Sequence, residues 1–207
     1  MLQGLTPGVE FPVTFYADGH RYVHNSGRTL LSVTKVLKEL SGFIGDGGSP
    51  AADFGTEVHR AVAATLSKKK LLAVDKRIVP YIKAAKAFVK KEKLSRYTVA
   101  AEVLGYHPLL EYTGTLDCIF ISPDGSKTVL VDWKTGIFRD YYRIQLAAYS
   151  MLFEGIPAPS SCWCVMLKRD GTYEPVPVKL GSSLERDFIT ELSHINLMKK
   201  HGRYEEQ

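Results

Sequence analysis

Two apolar runs of this sequence, 109–121 and 128–136, are separated only by the turn sequence "SPDGS" and one lysine. An Asp-Gly pair in a short connection between apolar runs favours a tight turn, so the runs are predicted to form an antiparallel β-hairpin. Side chains alternate between the faces of a strand, which places Asp132 and Lys134 on one face and Val131 and Trp133 on the other. A strand this apolar belongs in a core, so its charged pair must face a cleft.

The N-terminal part of the chain, residues 11–42, is predicted to contain a hairpin and a short helix. The segment "VTFYADGHRYVH" alternates around Asp18-Gly19, a pair that accepts the positive φ of a tight hairpin turn. The segment "LLSVTKVLKEL" is predicted to be a short helix with Ser32 as its N-terminal cap and Gly42 as its stop.

Further helices are predicted on both sides of the central hairpin. Apolar residues at helical spacing predict a helix over 51–67, a helix capped by Asp75 that runs to about Leu94, and a helix over 139–155. The segment "YTVAAEVLGY", which precedes the central hairpin, is typical of a strand.

The C-terminal part, residues 160–202, is predicted to form another hairpin and a last helix. This helix opens with a capping-box pattern, Ser182 to Glu185, and is expected to stop at Gly202. The order of helices and strands along the chain is typical of an α/β (α+β mixed) fold, in which helices flank a central mixed β-sheet. The 207 residues are enough for one domain with its own core.

Composition indicates an ordinary globular chain, with 45% hydrophobic residues. Cys118, Cys162 and Cys164 are interpreted as buried thiols, and the chain has no four-cysteine set for a zinc or iron–sulfur centre. No apolar run approaches the roughly 18 residues of a membrane span, and the first residues lack the pattern of a signal peptide. We therefore expect a cytoplasmic protein without membrane contact.

Positive charge is concentrated between Lys68 and Arg96. The net charge of the chain is only +5, but this segment is rich in lysine and contains just two acidic residues. Such a segment is suited to a polyanion, and its helical lysines are candidate contacts to a nucleic-acid backbone: Lys83, Lys86 and Lys90. A solvated helix face would have the same composition, so both interpretations remain open.

The predicted hairpin can bring Asp117 beside Asp132. Two carboxylates in a partly dry cleft repel each other unless a cation lies between them, and a divalent metal ion is the natural occupant. Magnesium and manganese prefer oxygen ligands, so the backbone carbonyl of Trp133 is a candidate third ligand. Lys134 can stabilise the charge that grows on a reacting phosphate or take a proton, and the sequence leaves both roles open.

Four short motifs together resemble the PD-(D/E)XK nuclease superfamily, and within it the RecB-type branch. They are "GTEVH" (55–59), "GTLD" (114–117), "DWK" (132–134) and "QLAAY" (145–149). The upstream segment "GRTLLSVTKVL" is similar to the N-terminal segment of small exonucleases of this branch, such as those of phages and of mitochondrial genome maintenance. The resemblance covers roughly residues 15–155 and implies a restriction-endonuclease-like core, with its motifs in 55–150, inside one nuclease domain over 1–207.

The resemblance also implies roles for individual residues. His59, Asp117 and Asp132 would bind Mg²⁺ or Mn²⁺, with one or two ions in the site, and Lys134 would be the catalytic lysine. No Walker-type phosphate loop is present, so we expect neither ATP nor another nucleotide cofactor.

Three further residues join this set as expectations. Gln145 and Tyr149 lie four residues apart, hence on one helix face, and would position the "DWK" strand or the substrate. Glu102 lies on the strand before the hairpin, where many RecB-type relatives carry a glutamate that could support a second cation, although a surface salt bridge would explain it equally well.

The function implied is that of a metal-dependent DNA exonuclease with a preference for single-stranded ends, acting in recombination, repair or phage DNA processing. Aromatic and basic residues that precede the Gln145 helix are candidates for stacking bases and holding phosphates: Arg139, Tyr141, Tyr142 and Arg143. A structure-selective endonuclease on the same scaffold and a non-catalytic nucleic-acid-binding module are the alternatives. The sequence names no partner protein.

Overall fold

The computed structural model describes residues 1–5, 8, 10–41, 50–70, 73–153 and 157–204. Its strands are β1 (Val13–Tyr16), β2 (Arg21–His24), β3 (Leu31–Ser32), β4 (Thr98–His107), β5 (Tyr112–Ile121), β6 (Thr128–Lys134), β7 (Ser161–Leu167) and β8 (Tyr173–Val178). Its α-helices are α1 (Val33–Ser41), α2 (Pro50–Leu66), α3 (Val79–Lys91), α4 (Tyr141–Ser150) and α5 (Ser182–Lys200).

The described strands from β3 to β8 form one mixed sheet, which confirms the predicted fold class. Strand β5 is antiparallel to β4 along one edge, and its other edge pairs with β3 and with β6. The predicted central hairpin is present as β5 and β6, and β6 continues the sheet in parallel to β7. Strands β7 and β8 form the predicted C-terminal hairpin.

Helices cover both faces of this sheet, as expected when its strands are apolar on both sides. One face packs against α1, α4 and α5, with Ile119 and Leu130 among the buried residues. The other packs against α2 and α3, where the ring of Trp133 lies edge-on to Phe88 with centroids 5.7 Å apart. The cysteines are buried, as predicted. None of the described helices combines the length and the apolar sequence needed to cross a membrane.

The N-terminal hairpin, β1 and β2, forms a separate two-stranded sheet, as predicted. Gly19 in its turn has a φ of 69°, which is the left-handed conformation that favours glycine. Val13 and Tyr22 of the hairpin form a small core with Leu104 and Tyr106 of β4. The hairpin is thereby fixed against the central sheet.

The N-terminal end of helix α1 differs from its prediction. Leu31 and Ser32 pair in parallel with β5, so the helix begins at Val33 rather than at residue 30. Ser32 is still its cap, because its Oγ accepts a hydrogen bond from the Lys35 N–H at 3.2 Å. The predicted stop at Gly42 lies outside the described residues. The later helix, predicted over 139–155, is shorter than expected, because α4 runs from Tyr141 to Ser150 and Met151 is its C-terminal cap.

Two predicted helix caps are wrong. Asp75 does not cap α3, because its carboxylate accepts from the Arg77 N–H in a separate turn and α3 begins four residues later, at Val79. Ser182 is the first residue of α5 rather than its cap, and no side-chain hydrogen bond caps that end. The predicted stop at Gly202 is confirmed.

Candidate active site

The candidate site lies where one edge of β5 is open. This edge pairs with β3 at residues 112–113 and with β6 at residues 118–121. Between them, the "GTLD" segment has no strand partner on this edge among the described residues. The gap leads into a cavity of about 570 Å³, whose lining includes His59, Asp117, Asp132 and Lys134. The tertiary structure thus brings together the groups that the sequence separates.

Asp117 occupies the fork between the two strands of the central hairpin. Its Oδ2 accepts a hydrogen bond of 2.8 Å from the Trp133 N–H, just beyond the last strand pair of Cys118 and Val131. Its Oδ1 lies 3.2 Å from Nδ1 of His59, which α2 presents from the other side. Because a strand residue directs its N–H and C=O to the same side, the Trp133 carbonyl also faces this fork.

Asp132 and Lys134 project from the same face of β6, as predicted. Asp132 is 2% exposed, and its Oδ2 lies 2.7 Å from Nζ of Lys134. The two atoms make an ion pair, yet this buried oxygen accepts no hydrogen bond of ordinary geometry from the described residues. A buried carboxylate oxygen with a single close cation retains capacity for a further ligand.

The four charged groups change one another's pKa values. Burial raises the pKa of Asp132 to about 6, and the ammonium of Lys134 opposes the shift. Burial would lower the pKa of Lys134, but the charges of Asp132 and Asp117 outweigh it and raise that pKa. Burial would also lower the pKa of His59 and raise that of Asp117, yet their mutual contact reverses both shifts. Lys134, His59 and Asp117 are therefore stabilised in their charged forms.

Helix α4 places Gln145 and Tyr149 on the face that lines the cavity. Gln145 Nε2 donates a 3.1 Å hydrogen bond to the Tyr149 hydroxyl, and both side chains are buried. Burial raises the pKa of Tyr149 well above its usual value, so this hydroxyl stays neutral. The pair forms a rigid, uncharged part of the cavity lining beside Asp132 and Lys134.

Gly114 allows this lining to pack against β5. A Cβ at residue 114 would lie 2.7 Å from Cε1 of Tyr149 and 3.2 Å from Cγ2 of Val33. Gly114→Ala is therefore expected to destabilise the fold by roughly 1–3 kcal/mol, because the buried ring and the strand must separate. Thermal unfolding measures the loss. The matched control is Gly136→Ala, where a Cβ meets no atom within 4 Å, and equal melting temperatures for the two variants would contradict the packing argument.

Glu102 lies on β4 opposite Asp117 of β5, in an irregular part of the ladder. The register pairs Ala101 with Cys118 and Val103 with Leu116, and Glu102 between them has a φ of 55°. This left-handed conformation is uncommon for a residue other than glycine and is found where function retains strain. Partial burial and the charge of Asp117 raise the pKa of Glu102, whose side chain lines the cavity.

The donors around the fork fit a hard divalent cation. Two carboxylates and a carbonyl are the oxygen ligands that magnesium and manganese prefer, and His59 would add Nε2 as a ligand once it loses its proton. Among the described residues, no three His, Cys, Asp or Glu side chains gather as a metal-ligand cluster by themselves. A metal here would therefore also use the Trp133 carbonyl and water, which suits magnesium because this ion retains several waters.

The predicted nucleic-acid contacts lie at different distances from the cavity. Lys83, Lys86 and Lys90 are exposed on α3, and no described residue of that helix lines the cavity. Tyr142 is close to the site, since Nζ of Lys134 lies 4.7 Å from its ring centroid. The lysines are therefore not part of the cavity lining.

The remaining three predicted contacts, Arg139, Tyr141 and Arg143, surround the start of α4. Arg139 and Tyr141 line a separate groove that α1 and α5 also border. Arg143 lies 3.9 Å from the carboxylate of Asp140 and 5.2 Å from the ring centroid of Phe138. None of the three lines the carboxylate cavity, but Tyr141 shares a neighbouring groove with Lys134 and Gln145.

Sequence reasoning missed one group of residues that line the cavity. Phe15, His20 and Tyr22 reach it from the N-terminal hairpin, and Arg60 follows His59 on α2. The position of Arg60 next to a motif histidine was a signal that could have identified it. The aromatic residues had none, because a two-stranded sheet can pack anywhere on a larger one.

Two solved structures resemble this fold over most of their length. The alkaline exonuclease from Laribacter hongkongensis has a TM-score of 0.50 and 12% identity, with 84% of this chain and 89% of that chain covered. A candidate exonuclease from Eubacterium rectale has a TM-score of 0.51 and 13% identity, with 85% and 83% covered. No family model and no curated protein matches the sequence. The protein thus has the fold of these exonuclease structures.

Proposed function

We propose that this protein is a PD-(D/E)XK nuclease of the RecB type that hydrolyses phosphodiester bonds of DNA with Mg²⁺ or Mn²⁺. The observation that carries the proposal is the meeting of Asp117, Asp132 and Lys134 in one cavity at the open edge of β5. A purely structural role would not explain why two carboxylates lie at such an edge. It would also not explain why one of them has a buried oxygen without an ordinary hydrogen bond. The exonuclease structures of the same fold are consistent with this assignment.

Each residue of the site has a part in the proposed reaction. Asp117, Asp132 and the Trp133 carbonyl would hold the metal, with His59 as a further ligand or as the group that orients Asp117. A bound divalent ion supplies a Lewis acid for the phosphate and a water of lowered pKa. Lys134 stabilises the negative charge that develops on the phosphate oxygens, since its ammonium is preorganised beside Asp132.

We propose the preference for free single-stranded ends because the N-terminal segment and the four motifs resemble those of small exonucleases. Purified protein is expected to degrade linear single-stranded DNA with magnesium or manganese and to leave a covalently closed circle of the same sequence intact. A time course with 5′- and 3′-labelled strands measures both the end requirement and the polarity. An Asp132→Asn preparation, purified in parallel, controls for contaminating nucleases.

The same experiment separates the alternatives. Cleavage of the closed circle at a rate similar to that of the linear strand would replace the exonuclease by an endonuclease. Binding of DNA without cleavage under any metal condition would favour a non-catalytic module, and the proposed reaction would then be wrong.

A further inference from the structure

The N-terminal hairpin contributes an aromatic wall to the cavity, which we define as Phe15, His20 and Tyr22. The rings of Phe15 and Tyr22 have centroids 4.8 Å apart, and those of Phe15 and His20 are 5.0 Å apart in an edge arrangement. Aromatic rings at these separations support one another in fixed orientations. The wall therefore differs in kind from the charged groups around Asp117 and Asp132.

Tyr22 anchors the aromatic wall in the protein, and Phe15 leaves part of it exposed. Tyr22 is 3% exposed, and its hydroxyl lies 3.1 Å from Oγ1 of Thr115, two residues before Asp117. Phe15 rests on this buried ring but remains 40% exposed. An apolar ring is thus held firmly at the cavity while much of its surface stays available to a ligand.

The backbone of the hairpin turn sets the position of His20. His20 has a φ of 47°, in the left-handed region that side chains other than glycine seldom adopt. The tight turn between β1 and β2 requires this backbone, since Gly19 before it also has a positive φ. Here it keeps the imidazole edge-on against both Phe15 and Tyr22.

We propose that the aromatic wall binds one unpaired nucleobase of the substrate strand by stacking it on Phe15, next to the phosphodiester that is cleaved. This inference rests on the proposed nuclease function and gives its strand preference a physical cause. A base inside a duplex already has both faces stacked, whereas an unpaired base offers a face to Phe15. Stacking on an aromatic side chain tolerates every base, as degradation of arbitrary sequence requires.

The size and charge of the cavity fit such an occupant. Its volume of about 570 Å³ lies within the roughly 300–1,000 Å³ of typical small-ligand pockets. Arg60 lines the same cavity and supplies a cation for a phosphate that adjoins the stacked base. The proposed base thus has Phe15 as its partner, and the adjoining phosphate has Arg60.

Phe15→Leu tests the stacking site, because leucine retains an apolar side chain but removes the aromatic face. The KM for linear single-stranded DNA is expected to rise about tenfold, the magnitude of one lost base–aromatic stack, while kcat stays within about threefold. Phe15→Trp is expected to restore the native KM. The melting temperature of each variant shows whether the hairpin still packs.

Tyr16→Leu is the matched control, since Tyr16 is the next residue of β1, is 48% exposed and lies outside the described lining of the cavity. Its KM should equal that of the native protein.

A second arm measures the affinity for a fluorescent single-stranded oligonucleotide in an Asp132→Asn background, with and without Phe15→Leu. A substrate that lacks the base at the stacked nucleotide should bind equally to both proteins.

The outcomes separate this inference from the proposed function. If Phe15→Leu keeps native KM and native affinity, the stacking site is wrong and the nuclease assignment stands. If the native protein binds single strands through Phe15 but cleaves none, the nuclease assignment is wrong and the binding site stands. If it neither cleaves nor binds single-stranded DNA, both are wrong.

Discussion

Replacing Lys134 by alanine is expected to lower the rate of DNA cleavage by roughly a hundred- to a thousandfold, the usual cost of one lost charge-stabilising group. Nζ of Lys134 lies 2.7 Å from Asp132 Oδ2, and the side chain is 15% exposed, so water cannot readily take its place. Binding of single-stranded DNA is expected to persist, because contacts along the rest of the strand remain. Single-turnover rates and equilibrium binding measure the two effects separately.

Stability has to be followed in the same experiment. Loss of Lys134 leaves Asp132 buried without its close cation, and an uncompensated buried charge typically costs about 3–5 kcal/mol unless the group takes up a proton. Lys134→Met provides a second variant that keeps the length of the side chain. Lys127→Ala, an exposed lysine in the turn before β6, is the control and should cleave at the native rate. A folded Lys134→Ala protein with native cleavage would remove this residue from the mechanism.

Removal of divalent metal by EDTA is expected to abolish cleavage, and excess magnesium or manganese should restore it. Metal binding should also be visible without DNA, since a ligand that binds only the folded state stabilises it. At a hundredfold excess over Kd this amounts to about 2.7 kcal/mol, which corresponds to a rise in melting temperature of about 5–10 °C for a chain of this size. Thermal unfolding with and without metal measures the shift.

Matched aspartate variants locate the metal. Asp132→Asn removes a buried carboxylate from the fork and should lose most of the shift, whereas Asp140→Asn, whose side chain is 98% exposed, should keep it. Cleavage at an equal rate in chelator would refute the metal mechanism. A full shift in Asp132→Asn would place the metal elsewhere in the protein.

The central hairpin and its charged pair could be predicted because their signals are local. Alternation of side chains assigns Asp132 and Lys134 to one face whatever the rest of the fold does, and the turn after β5 is encoded by the Asp-Gly pair within it. The same hairpin brings Asp117 alongside. Sequence reasoning was weaker at helix caps, because Asp75 accepts from the Arg77 N–H in a separate turn and Ser182 already lies inside its helix.

The partners of β5 could not be read from the chain in this way. Leu31 and Ser32 look like the start of a helix, and only pairing with residues 112–113 makes them a strand. That short pairing and the end of the β6 pairing at Cys118 together leave the "GTLD" edge open. The cleft thus exists because two strands share one edge without meeting.

The sequence by itself determined which side chains share a strand face or a helix face, because periods of 2 and 3.6 residues are properties of the local backbone. The resemblance of the four motifs implied that His59 and Asp117 would meet. Only the tertiary structure decided that Tyr149 packs on Gly114 and that the N-terminal hairpin puts Phe15 at the cavity. These contacts join segments far apart in the chain. Their geometry depends on how whole layers of helices and strands pack, and a short stretch of sequence does not determine that packing.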